Sequence, residues 1–162
     1  MRLKSAAATL LVCTSLVLVP AIQAAQARPL SLFHGIRVMP GGVVVDGRIL
    51  YEGGGVIVVP SAGRSFDSCP AGFACLFANT GWGGTMVAFS TCCAWNNLSA
   101  YGFDNAASSW RNRLSVDAQL AMGAGGGGTK LCLGNSASAS SMPAGWDNAA
   151  SSIRVRNSGA YC

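Results

Sequence analysis

The six residues Asp104-Asn105-Ala106-Ala107-Ser108-Ser109 occur a second time as Asp147-Asn148-Ala149-Ala150-Ser151-Ser152. In the wider window, Gly102 to Arg113 lies over Gly145 to Arg156 with nine of twelve positions identical. The likeness extends upstream, where Gly81 to Phe89 aligns with Gly125 to Leu133 at an offset of 44, one more than the 43 of the hexamers. Each copy reads as apolar strand, Gly-rich turn, apolar strand, polar loop, D-N-x-x-S-S and closing strand. Two units of this length are too few for a solenoid, whose repeats are stable only when several stack. The duplication therefore predicts one domain of two packed sheets.

The short apolar runs confirm the class. Phe73 to Phe77, Thr85 to Ser90, Ser109 to Leu114 and Asp117 to Met122 are strand-length, and no segment holds a helical period, so the chain reads as all-β. Gly81-Trp82-Gly83-Gly84 is a turn calling for positive φ. The tract from Asn135 to Ser141 is Ser/Ala-rich and reads as a loose loop.

Three divisions follow. Residues 1–27 carry Arg2 and Lys4, an apolar core ending at Pro20, and Ala25-Gln26-Ala27, the pattern of a cleavable export signal. The apolar run is too short for a membrane anchor, and Cys13 is discarded with it. Residues 28–65 hold eight glycines and no cysteine. Their β-branched runs around Asp46-Gly47 predict a short hairpin or three-strand ribbon, either docked on the main domain or serving as a pro-segment. Residues 66–162 form the main domain, with repeat units of about 69–114 and 115–162.

Without Arg2 and Lys4, nine basic and six acidic side chains remain, a net charge of +3. That mild excess does not call for a nucleic-acid partner. Six cysteines remain beside it: Cys69, Cys75, Cys92, Cys93, Cys132 and Cys162. An even count in an exported chain predicts up to three disulfides. Cys69 with Cys75 is a short loop, and the neighbours Cys92 and Cys93 are expected to take different partners. Zinc is not indicated, because there is no C-x-x-C pair and the single histidine, His34, lies far upstream. Catalysis finds no nucleophile motif and no carboxylate pair, so the chain is read as a non-enzyme.

These motifs resemble the βγ-crystallin type of domain, a sandwich of two Greek keys. Phe77 to Gly84 matches its opening-hairpin pattern of an aromatic, six residues and a glycine, and both hexamers match its [ND]-[ND]-x-x-[ST]-S clamp. The second copy departs, with Ala121 where Phe77 stands. The run C-P-A-G-F-A-C-L-F, G-W-G-G and W-N-N-L-S-A-Y-G-F-D-N-x-x-S-S-W is similar to the secreted microbial metalloproteinase-inhibitor family built on that fold. The resemblance implies a secreted, monomeric inhibitor of an extracellular metalloprotease, acting by substrate-like loop binding, with a reactive bond at Cys132-Leu133. It also implies calcium at clamps formed by Asp104, Asn105, Ala106 and Ser108, and by Asp147, Asn148, Ala149 and Ser151. Carboxylate, amide, hydroxyl and carbonyl oxygens are the donors calcium takes, although the same residues also cap turns. The alternative is a calcium-binding extracellular structural or stress module without inhibitory activity. A third reading places an anionic cell-surface polymer on the paired arginines Arg111 and Arg113, Arg154 and Arg156. The tryptophans Trp82, Trp95, Trp110 and Trp146 are expected in core or corner positions.

Overall fold

A computed structural model describes residues 32–33, 36–45, 48–51, 56–59, 66–157 and 162. The leader, His34, the Asp46-Gly47 turn and the segment Ser61 to Ser65 lie outside the described residues. The elements are β1 (Leu32–Phe33), β2 (Ile36–Arg37), β3 (Gly42–Val45), β4 (Arg48–Tyr51), β5 (Val56–Val59), β6 (Ala74–Phe77), β7 (Met86–Phe89), β8 (Asn96–Asn97), β9 (Ser109–Asn112), β10 (Ala118–Ala121), β11 (Lys130–Leu133), β12 (Ser138–Ala139) and β13 (Ser152–Val155). Short 3-10 turns are the only helical elements among the described residues.

One sheet runs β12-β9-β6-β7-β5-β4-β3 and the other β11-β10-β13-β8, while β1 and β2 pair by themselves. Every strand ladder is antiparallel. The two copies interlock. β8, from the first copy, pairs with β13 of the second, and β12, from the second, pairs with β9 of the first. Each sheet is therefore completed at one edge by a strand of the other copy.

That exchange corrects the expectation of a loose loop at Asn135 to Ser141. The Asn112 amide donates to the Ala137 carbonyl and the Gly81 amide to the Ser140 carbonyl, at 2.8 and 2.7 Å. Ala137 and Ala139 are half-buried against the core. Small side chains suit a strand that must lie close over the tops of β9 and the Gly-rich hairpin.

The core lies between the sheets. Leu76, Val87 and Phe89 meet Leu120, Leu133 and Ile153, all fully buried. Each such side chain stabilises the fold by roughly 1.5–3 kcal/mol. β6 and β7 are buried on both faces, which is why their sequences run continuously apolar rather than alternating. Their outward residues Cys75, Phe77, Met86 and Ala88 form a second small cluster with Val59 and Cys69, and Trp82 packs against it.

β5 joins the Gly/Val-rich segment to the main sheet through Ile57↔Ala88, Val58↔Val87 and Val59↔Met86. Ile49, Val56 and Val58 enter the main core. Tyr51 packs edge-on against Tyr101 with centroids 5.2 Å apart, and its hydroxyl accepts from the Met39 amide at 3.1 Å. Burial raises the pKa of the Tyr51 hydroxyl above its usual value, with that amide opposing. At the far edge, β3 leaves Val43, Val44 and Val45 exposed.

Candidate functional site

The two D-N-x-x-S-S loops face each other across the interface of the copies. Asn105 and Asn148 both adopt the left-handed region, at φ 51° and 53°, where Asn is among the side chains best tolerated. The Asn105 amide donates to the Ala150 carbonyl and the Asn148 amide to the Ala107 carbonyl, both at 3.0 Å. The side chains cross in the same sense. Ser108 Oγ donates to Asn148 Oδ1 at 3.5 Å, and Ser151 Oγ to Asn105 Oδ1 at 3.4 Å. Asp104 and Asp147 are exposed beside them, each accepting a long contact from its neighbouring Asn.

The last serine of each hexamer does different work. Ser109 Oγ donates to the Asn79 carbonyl at 2.6 Å and accepts from the Trp82 amide at 3.1 Å. Ser152 Oγ repeats this with the Gly123 carbonyl at 2.7 Å and the Gly126 amide at 3.0 Å. Both are fully buried, so each pins its Gly-rich hairpin onto the closing strand. The hexamer thus holds one serine for the loop opposite and one for its own hairpin. The oxygens that cross between the clamps fit a hard cation: hydroxyl and amide oxygens lie within ligand-to-ligand distance of each other, with a carboxylate adjacent. Ser108, Asn148 and Asp147 would hold one ion, and Ser151, Asn105 and Asp104 the other, with Ala106 and Ala149 offering backbone carbonyls.

Three disulfides form: Cys69–Cys75, Cys92–Cys93 and Cys132–Cys162. The second corrects the expectation that the neighbours take separate partners. The other four cysteines are paired by position, Cys69 in the loop before β6 and Cys132 on β11 against Cys162, so Cys92 and Cys93 close a small ring on themselves. Cys93 takes φ 122°, a region that non-glycine residues seldom occupy. Asp117, Cys132 and Cys162 place one carboxylate and two sulfurs within 4.8 Å, but the sulfurs are bonded to each other and offer no thiolate to zinc.

Cys132 is exposed on β11, the edge strand of its sheet, whereas Leu133 is fully buried in the core. This corrects the reactive-bond expectation for Leu133: alternation along β11 turns its side chain inward, and it cannot fill an enzyme pocket while the sheet is intact. Among the described residues no strand pairs with the outer edge of β11, and the Cys132–Cys162 disulfide pins it.

The arginines are largely committed within the molecule. Arg113 donates to the Cys69 carbonyl at 2.7 Å, and Arg111 reaches the exposed Asp67 at 3.3 Å, a pair worth under about 1 kcal/mol in solvent. Arg154 donates to Gln119 Oε1 at 2.9 Å and lies over the Trp95 ring, 4.8 Å from its centroid. Trp110 and Trp146 are buried, and Trp82 and Trp95 half-buried. Trp95 has a partner that was not evident from the sequence: Gly126, at a φ of 85°, lies so close under its ring that a Cβ there would collide with it. The signal was the unbroken Gly run over Trp82 in the repeat alignment, which left the space that Trp95 fills.

Residues 62–120 match the family model of peptidase inhibitor family I36. That segment spans the first copy and ends in β10, before Cys132 and Leu133. A structure bearing on the evolution of the eye-lens βγ-crystallin domain fold superposes with a TM-score of 0.52 at 18% identity, over 62% of this chain and 95% of its own. The N-terminal domain of Protein S gives 0.45 at 27% identity, over 51% and 93%. A βγ-crystallin domain from Flavobacterium johnsoniae gives 0.45 at 21%, over 54% and 97%. No curated protein matches the chain. The fold is that of βγ-crystallin domains, and the peptidase-inhibitor likeness of residues 62–120 agrees with the one read from the motifs.

Proposed function

We infer that this chain, a βγ-crystallin fold whose first Greek key matches a peptidase inhibitor family, is a secreted inhibitor of an extracellular metalloprotease. The family match over residues 62–120 carries the reading. The contact is assigned to the exposed edge of β11 rather than to the Leu133 side chain. An extended edge strand offers unpaired backbone groups to an enzyme cleft that binds peptides as strands. The Cys132–Cys162 bridge limits the entropy lost on binding.

Titration of the oxidised mature protein against a thermolysin-type protease tests this. Inhibition is expected to be complete near equimolar protein. Lys130→Glu, on the exposed part of β11, should weaken it at least ~10-fold, as reversal of a contact charge does, while Val44→Lys on β3, an edge of the other sheet, leaves it unchanged. An enzyme fully active at micromolar protein overturns the reading, and equal effects of the two variants overturn the assignment to β11.

The crossed serine and asparagine oxygens favour a second role, calcium binding that stabilises the fold. Calcium at a hundredfold excess over its Kd would add about 2.7 kcal/mol. A melt is expected to rise with calcium in the wild type and to stop responding in the Ser108→Ala/Ser151→Ala double variant. An unchanged wild-type melt would leave the clamps as turn chemistry alone.

A further inference from the structure

Beyond the clamps and the β11 edge, a cavity of about 140 Å³ opens between Cys93 and the end of β13, lined by Arg154, Val155, Arg156 and Asn157. We propose that it is a carboxylate-binding site. Alternation along β13 turns Ile153 and Val155 into the core, so Arg154 and Arg156 share the outer face of the second sheet. Arg154 is fixed there by Gln119 and by the Trp95 ring. Its Nε is buried and has no hydrogen-bond partner among the described residues. A buried N–H without an acceptor is rare and calls for a missing partner, ion or water.

Arg156 has no carboxylate partner among the described residues. Asp117 stands opposite it in the ladder, with the Arg156 amide donating to the Asp117 carbonyl at 2.9 Å. The Asp117 carboxylate, however, turns toward β11 and accepts from the Asn135 and Cys162 amides at 2.8 and 2.9 Å. No acidic residue among the described ones lines the cavity. Arg154, held in place by Gln119 and Trp95, and Arg156 therefore line this space together with Asn157, with no acidic residue among the described lining. Guanidinium forks bind planar carboxylates by charge-assisted, often bidentate hydrogen bonds. The volume is close to that of a cavity known to hold a benzene-sized group, which suits a small carboxylate or an acidic side chain.

The test follows backbone amide and Arg Nε–H signals of the ¹⁵N-labelled oxidised protein by NMR at constant ionic strength. Sodium acetate probes the free anion, and a terminally blocked Gly-Asp-Gly peptide probes the side chain. Saturable shifts of the Arg154 Nε–H and the Asn157 amide are expected with at least one of them. Acetate alone indicates a small-anion site, and the peptide in addition indicates recognition of acidic side chains. Arg156→Gln should weaken binding at least ~10-fold, as loss of one charge-assisted pair does, while Arg48→Gln, exposed on β4, should not. Shifts that chloride reproduces, no saturation by ~100 mM of either probe, roughly −1.4 kcal/mol of affinity, or equal weakening by both variants overturns the proposal.

Discussion

A chain beginning at residue 66 is expected to melt about 10 °C or more below the chain that carries the Gly/Val-rich segment, and to self-associate. Ile49, Val56, Val58 and Val59 are each at most 3% exposed. Burying side chains of this size contributes roughly 1.5–3 kcal/mol apiece, an upper figure because ordering the segment costs conformational entropy. A net loss of even about 2 kcal/mol moves the midpoint of a domain this small by roughly 10 °C. Truncation also bares the β7 edge that β5 covers, along with Phe89 and Tyr101, whose rings pack 5.5 Å apart. An uncovered apolar edge strand is a template for pairing between molecules. Thermal melts and sedimentation of the two chains decide the matter. A truncated chain that stays monomeric and melts within about 2 °C of the longer one would mean that the segment is a dispensable extension, since that shift corresponds to under ~0.5 kcal/mol.

Much of the architecture was legible in the sequence because the duplication is written in residues whose backbone demands are narrow. Gly81 and Gly84 in one hairpin and Gly125, Gly126 and Gly128 in the other take positive φ, and the serines at Ser109 and Ser152 hold those hairpins in the same way. The exchanged strands were not legible. β8 and β12 are two residues each, too short to show a period, and their place is set by the partner sheet rather than by their own side chains. The Leu133 expectation rests on the resemblance, which implies a reactive bond at Cys132-Leu133, while alternation on β11 sends the two side chains to opposite faces. The ring at Cys92 and Cys93 was missed because spacing alone favours separate partners for adjacent cysteines. That no carboxylate meets Arg156 depends on where Asp117 points, which the Asn135 and Cys162 amides decide.

The same logic applies to Asn112, which breaks the repeat where Val155 stands in the second copy. Asn112 is fully buried. Its Nδ2 donates to the Val116 and Leu133 carbonyls, both at 2.9 Å, and its Oδ1 accepts from the Leu114 amide at 3.0 Å. One side chain thereby ties β9, the link between the copies and the end of β11. Asn112→Val, the residue the second copy uses, leaves three backbone groups without partners. Each orphaned group costs about 1–3 kcal/mol when buried, so a loss of about 3 kcal/mol or more is expected. Asn112→Asp should be worse near neutral pH, because a carboxylate cannot donate to two carbonyls and a buried unpaired charge is costly. Because Leu133 anchors the β11 edge, inhibition should fall at temperatures where Asn112→Val is still folded. Chemical denaturation read beside the inhibition assay measures both effects. A Val variant within ~1 kcal/mol of wild type, less than the cost of one orphaned group, would show that water or a relaxed loop replaces the amide. β11 would then owe its position to the Cys132–Cys162 bridge instead.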